Sequence, residues 1–322
     1  VPHLAPQSSC TLNLPRPSVG IDGASEHFYR VAFKLKEDRP WAAKGWEVAH
    51  NQLRYGPAPR GYAESSCEDA GRILVRTNAA EVLVVAGPTE AAVSRLTGTL
   101  SALKMNGKTI IADEQGICRG PRLTCQRAFT DNDNYLRPVF YASGLTQLRY
   151  HARPLAVGTT ADGAVTVSCR VEVTGSKSAA FTHEQVFVFR SDGSVELRNV
   201  STPRGEFPRF EGLDFAILPR LGLSMVLDRS LENVRYYGRG PEENYIDRRT
   251  GSFVGLYRTS AKDMYVDYAR PQDNGWSSRA ATGAEAFASR PASRCSCRRS
   301  GTRGRIWNSH GRSRASRVGR SS

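Results

Sequence analysis

The 322-residue sequence has no run of about eighteen apolar residues, which excludes a membrane-spanning helix. Its opening, VPHLAPQSSC, has no basic stretch, no apolar core and no methionine. No signal peptide is therefore expected there, and the chain is expected to be a fragment of a longer one. Nucleotide-binding and acyl-transfer signatures are missing too. There is no G-x-S-x-G, no P-loop and no G-x-G-x-x-G after a strand, and Gly238–Gly240 is a G-x-G with no helix behind it. Histidine is sparse: His3, His27, His50, His151, His183 and His310 are scattered without ligand spacing. The seven cysteines are odd in number and irregularly placed, which argues against a disulfide framework. Cys295 and Cys297 form C-x-C with His310 downstream, but no second pair completes a zinc site, so free thiols are expected. Lysine is absent from 276–322, where eleven arginines and the single acid Glu285 give +10, leaving +4 of the chain's +14 for residues 1–275. So nearly neutral a body has no nucleic-acid footprint, and no nucleic-acid partner is expected.

What is present is strand periodicity. Tyr29, Val31, Phe33 and Leu35 alternate, and a second strand-like piece surrounds Val48–Leu53, with Pro40 and Gly45 marking the loop between. Residues 1–57 thus read as the last two strands of a partial β-sandwich, with Trp41 and Trp46 expected to pack within the pair. Residues 58–66, in the stretch GPAPRGYAESS, read as a linker. Beyond it, apolar pieces of strand length recur at Ile73–Val75, Glu81–Val85, Gly98–Leu103, Thr109–Ala112, Ala164–Val173, Thr182–Phe189, Val195–Val200, Ala216–Leu218 and Gly222–Leu227. Asn106-Gly107, Asp162-Gly163 and Asp192-Gly193 fall where turns are needed. Ala142–Tyr150 reads as a short helix. Residues 67–275 are accordingly expected to be all-β, a large antiparallel β-sandwich (supersandwich). Residues 276–322, rich in Arg, Ser, Gly and Ala, are expected to be a disordered tail, one that translation out of frame would produce.

Two polar clusters carry candidate chemistry. In YYGRGPEENYIDR (236–248), a strand over Glu232–Tyr237 is expected to break into a tight turn at Gly238, Gly240 and Pro241. Arg239, Glu242, Glu243, Asn244, Asp247 and Arg248 then bring opposite charges together, suited to guanidinium–carboxylate forks that brace a loop. Adjacent Glu242 and Glu243 point opposite ways on an extended chain, which does not suit a glycosidase acid pair about 5–10 Å apart. RAFTDND (127–133) is the second cluster: downstream of Arg127, Asp131 and Asp133 with Asn132 between resemble the start of a calcium loop, but the required Gly and distal Glu are absent. A turn held by Asx side chains is expected instead, with a cation or sugar contact as the alternative.

These stretches carry a family resemblance. YYGRGPEENYIDRRTGSFVGLY (236–257) and MYVDYARPQDNG (264–275) closely resemble the C-terminal β-sandwich domain of glycoside hydrolase family 2 β-galactosidases. GPRLTCQRAFTDND (120–133) resembles the same domain's signature, with Phe129 where the family usually has Pro, and FKLKEDRPWAAKGWEVAHNQL (33–53) resembles the end of the preceding immunoglobulin-like domain. The resemblance implies a glycosidase whose two catalytic glutamates lie on a barrel that would precede residue 1, so no catalytic residue is assigned here. The family's C-terminal domain also brings a tryptophan to the sugar site, and neither Trp276 nor Trp307 matches it. Implied partners are the rest of the polypeptide or a separate barrel-bearing chain, a galactoside and further copies of this chain, in the cytoplasm. No cofactor is expected in this chain, while full-length members are expected to use magnesium or sodium. The alternative reading is a stand-alone carbohydrate-binding β-sandwich.

Overall fold

A computed structural model describes residues 4–15, 18, 26–56, 71–112, 118–125, 133–175, 179–207, 209, 215–218, 220–241, 249–264, 277–281 and 305–307. The chain divides into two units, Val1–Ser66 and Cys67–Ser322.

In the first unit, β1 (His27–Lys34) and β2 (Glu47–Tyr55) pair antiparallel from His27 opposite Tyr55 to Lys34 opposite Glu47, with a bulge at Phe33/Lys34. Alternation makes the strands, but two strands form a single layer and bury neither face. Trp41 and Trp46 are therefore 65% and 60% exposed, and do not pack within the pair as expected from the sequence.

The second unit is an all-β sandwich. Its first sheet is a five-stranded antiparallel meander of β3 (Leu74–Thr77), β4 (Glu81–Ala86), β5 (Thr89–Ser94), β6 (Leu100–Met105) and β7 (Lys108–Ile111). Asn106 and Gly107 both hold positive φ, 50° and 73°, so a two-residue turn whose twist matches the strands joins β6 to β7. The second sheet is built on two ten-residue strands, β11 (Val165–Thr174) and β12 (Ala180–Phe189), paired along their whole length. β13 (Val195–Arg204) flanks β12. β9 (Arg149–Ala152) and β10 (Ala156–Thr159) share the other side of β11.

Period-two alternation builds the core between the sheets. Val165, Val167, Phe187 and Phe189 meet Val82, Val84, Val93, Leu103, Ile110 and Ile111 across the interface. A second apolar cluster continues along the same strands with Val171, Val173 and Phe181, packed on Leu123, Cys125 and Leu145. The buried Thr89 hydroxyl donates to the Gly193 carbonyl at 2.6 Å, tying the β4–β5 turn to the β12–β13 turn.

Shorter elements complete the unit. β8 (Arg122–Thr124) pairs with β15 (Gly222–Ser224), and β14 (Phe215–Ile217) with β19 (Arg305–Trp307). β16 (Asn233–Gly240) lies between β17 (Phe253–Ser260) and β18 (Ser277–Ala281). Segments of the arginine-rich tail expected to be disordered thus pair as strands at 277–281 and 305–307; the rest of the tail lies outside the described residues. The helix also differs from expectation. α1 spans Arg137–Ser143, with Pro138 in its first turn and Gly144 at φ 70° closing its C-terminus. Gly144 stops the helix where the sequence pattern seemed to start one, and Arg149 and Tyr150 join β9 instead.

Candidate functional site

The inward file of β12 reads Phe181, His183, Gln185, Phe187, Phe189, every member 2% exposed or less. Two polar side chains thus sit where the pattern demands apolar ones. Facing them on β11 are Val171, opposite His183, and Cys169, opposite Gln185. Above this break the β5–β6 connection descends onto the sheet at Gly98, whose φ is +70°. A Cβ there would lie 2.6 Å from Cys169 Sγ and 3.1 Å from the Ala152 Cβ, so only glycine permits the approach.

A cleft of about 260 Å³ opens at this point. Leu96, Thr97 and Thr99 of the β5–β6 connection line one side; Cys118, Arg122 and Leu123 line another. Tyr150, Val171, His183 and Gln185 add to the lining, and no carboxylate belongs to it among the described residues. The walls are held by their own hydrogen bonds. Thr99 Oγ1 donates to the Pro121 carbonyl at 2.6 Å, and Tyr150 Oη to the Leu123 carbonyl at 2.7 Å. The Arg122 guanidinium rests 5.3 Å from the centre of the Tyr150 ring, a cation–π contact.

The two polar residues are only half satisfied. Gln185 Nε2 donates to the Gly98 carbonyl at 2.9 Å, and His183 Nδ1 shares a 2.8 Å hydrogen bond with Ser201 Oγ. Gln185 Oε1 and His183 Nε2 are buried with no partner among the described residues. Burial pushes the His183 imidazole down to about 4, so the ring is neutral at ordinary pH. Desolvation likewise drives the Cys125 thiol up to about 12 and raises the Cys169 thiol, which makes both poor nucleophiles.

Of the residues singled out from sequence, Asp133 and Arg239 are described. Asp133 is buried, and its carbonyl accepts the Leu136 N–H at 2.9 Å in the turn that leads to α1. Arg239 Nη1 donates to the Ser252 carbonyl at 2.7 Å, tying β16 to the turn before β17. β16 runs on through Gly238 and Gly240, neither at positive φ, so the strand ends later than the glycines suggested. Arg127, Asp131, Asn132, Glu242, Glu243, Asn244, Asp247 and Arg248 lie outside the described residues. Among the described residues no three His, Cys, Asp or Glu side chains gather as a metal site. The sequence reading passed over His183 and Gln185. Their signal was available: in FTHEQVFVF the alternation that buries the phenylalanines buries them too.

Fold and site together define an all-β sandwich module, with a hydrogen-bonding cleft whose described lining holds Arg122 and no carboxylate. A family model described as Beta galactosidase small chain matches residues 86–284, and one described as Beta-galactosidase, domain 4, matches residues 1–56. The chain belongs to the β-galactosidase small-chain family. It is 29% identical over 278 residues to the β-galactosidase of Lactobacillus delbrueckii subsp. bulgaricus, an alignment covering 84% of this chain and 25% of that protein. With the β-galactosidase of Priestia megaterium it shares 25% identity over 277 residues, 85% of this chain and 25% of the other. The Vibrio cholerae β-galactosidase is 28% identical over 279 residues, 81% of this chain and 26% of its own length. The chain therefore spans about a quarter of the length of the curated relatives it matches.

Proposed function

We propose that this chain is the C-terminal β-sandwich portion of a β-galactosidase, taking part in hydrolysis of terminal β-D-galactosides such as lactose without itself supplying the catalytic carboxylates. The observation that carries this reading is the order and coverage of the matches. Two family models match in succession along one chain, at 1–56 and 86–284, and the curated relatives are about four times longer than the aligned segment. A retaining or inverting glycosidase needs two carboxyl groups set across the scissile bond. In this reading they come from a barrel elsewhere in the polypeptide or on a partner chain.

The test is hydrolysis of a chromogenic β-galactoside by the purified chain. No turnover above the buffer blank is expected; turnover that persists through re-purification overturns the proposal. A second arm replaces the matching quarter of the Lactobacillus relative with this chain. Activity is expected to recover by at least about tenfold over the same relative lacking that quarter, a difference of roughly 1.4 kcal/mol in transition-state stabilisation.

A further inference from the structure

We infer that the cleft between the β5–β6 connection and β12 is a binding site for a neutral polyhydroxyl ligand, the chemistry of a sugar ring, with Gln185 and His183 as its hydrogen-bonding floor.

Two buried polar atoms in this cleft have no partner among the described residues. Leaving a buried donor or acceptor unpaired costs about 1–3 kcal/mol, so each such atom in a folded protein calls for an explanation. Gln185 Oε1 and His183 Nε2 are two of them, on residues two apart in the same inward file and lining the same cleft. Their other polar atoms are already fixed by Gly98 and Ser201, which sets the orientation of both side chains.

What the two atoms require narrows the ligand. Oε1 needs a donor. Nε2 is a donor or an acceptor according to which partner gives the proton in the Ser201 hydrogen bond. A hydroxyl does both, so a ligand bearing neighbouring hydroxyls satisfies the pair with either tautomer. An ionised anion meets an acceptor at Oε1, and Arg122, the cation in the described lining, is turned onto the Tyr150 ring. A cation finds no carboxylate among the described lining residues to offset its desolvation. The imidazole adds no charge, since burial keeps it neutral above about 4.

Shape separates a ligand from trapped water. One liquid water takes about 30 Å³, so 260 Å³ far exceeds what two unpaired atoms need. Leu96, Leu123 and Val171 make part of the lining apolar and offer such waters no hydrogen bonds. An apolar body with a hydroxyl edge fits this division, as does the face of Tyr150. Both floor atoms are buried, so binding must include small shifts of the Gln185 amide and of the His183 ring.

The experiment follows the His183 ring nitrogens by NMR in the full chain during titration with galactose, glucose and inorganic phosphate, with calorimetry in parallel. Either sugar is expected to shift the Nε2 signal and to bind saturably. Gln185→Met, which keeps the side-chain shape but removes both amide groups, should weaken binding roughly tenfold. Because that variant removes a buried bond and risks misfolding, Thr97→Trp supplies a second probe at the partly exposed mouth, and should abolish binding while leaving the fold intact. A His183 signal that moves with phosphate alone, or with no ligand, overturns the inference, as does sugar binding unchanged in both variants. Hydrolysis by the isolated chain would overturn the proposed function and leave this site standing. A His183 ring silent to sugars would do the reverse.

Discussion

His183 occupies a place that the flanking Phe181 and Phe187 show to be a core position, and its chemistry follows from that burial. Its proton affinity is lowered in the folded chain to about 4 from an ordinary 6.5, because charging the ring means charging the core. Between those values the unfolded chain holds the proton and the folded chain does not. The contribution of this group is therefore fully present above about pH 6.5, falls as pH drops toward 4, and is constant below. Its size is at most roughly 3 kcal/mol. Urea unfolding at about pH 7.5 and about pH 4.5 should show His183→Gln losing less stability on acidification than the parent chain. Equal losses would show that the ring titrates normally. On the opposite face of β12, Glu184 meets Arg170 at 3.0 Å with side chains 49% and 56% exposed. Water screens that pair, and Glu184→Ala should change stability by under about 1 kcal/mol in the same measurement.

At the scale of elements, the cleft exists because one loop reaches a sheet. The β5–β6 connection touches the inward face of the second sheet at Gly98, and Gln185 anchors it through the Gly98 carbonyl. Gly98→Ala meets both the positive φ and the Cys169 sulfur. It should cost about 1–3 kcal/mol of stability, read as a lowered urea midpoint, and should displace the loop so that the His183 signal shifts without ligand. An unchanged midpoint would mean that the loop has room the structure does not show. The strands themselves were legible. β11 and β12 carry alternating runs, β4, β6 and β13 carry apolar pieces of strand length, and Asn106-Gly107 makes the two-residue hairpin its sequence promises. Three short pieces were not. β8, β9 and β10 span three or four residues, too few for a period to show, and each exists through the partner it finds. The helix misled for a related reason: the turn around Gly144 places Leu145 in the core, and that apolar residue gave the pattern a helical look.

Across the whole molecule, the two units differ in how much apolar surface they can hide. The second packs one five-stranded sheet against another and buries Phe181, Phe187 and Phe189 fully. The first offers two strands with Phe33, Val48 and Leu53 each more than 40% exposed. Amides of β1 and β2 should therefore exchange with deuterium at least about tenfold faster than those of β11 and β12, whose opening requires the sandwich to come apart. Equal protection in both would show that β1 and β2 are covered by something beyond their own pairing.

The sequence by itself determined the class of this protein. Alternation and turn chemistry are local properties, and they mark an all-β chain with no membrane-spanning helix. The motifs at 120–133 and 236–275 were enough to place it beside the β-galactosidases. The motif acids and arginines drew attention because charges are conspicuous in a sequence. Arg239 holds the Ser252 carbonyl, and the cleft formed elsewhere, around a histidine and a glutamine. Only tertiary structure decided that, because a residue is left unpaired by what three other segments bring near it, and those segments lie up to 87 residues away along the chain.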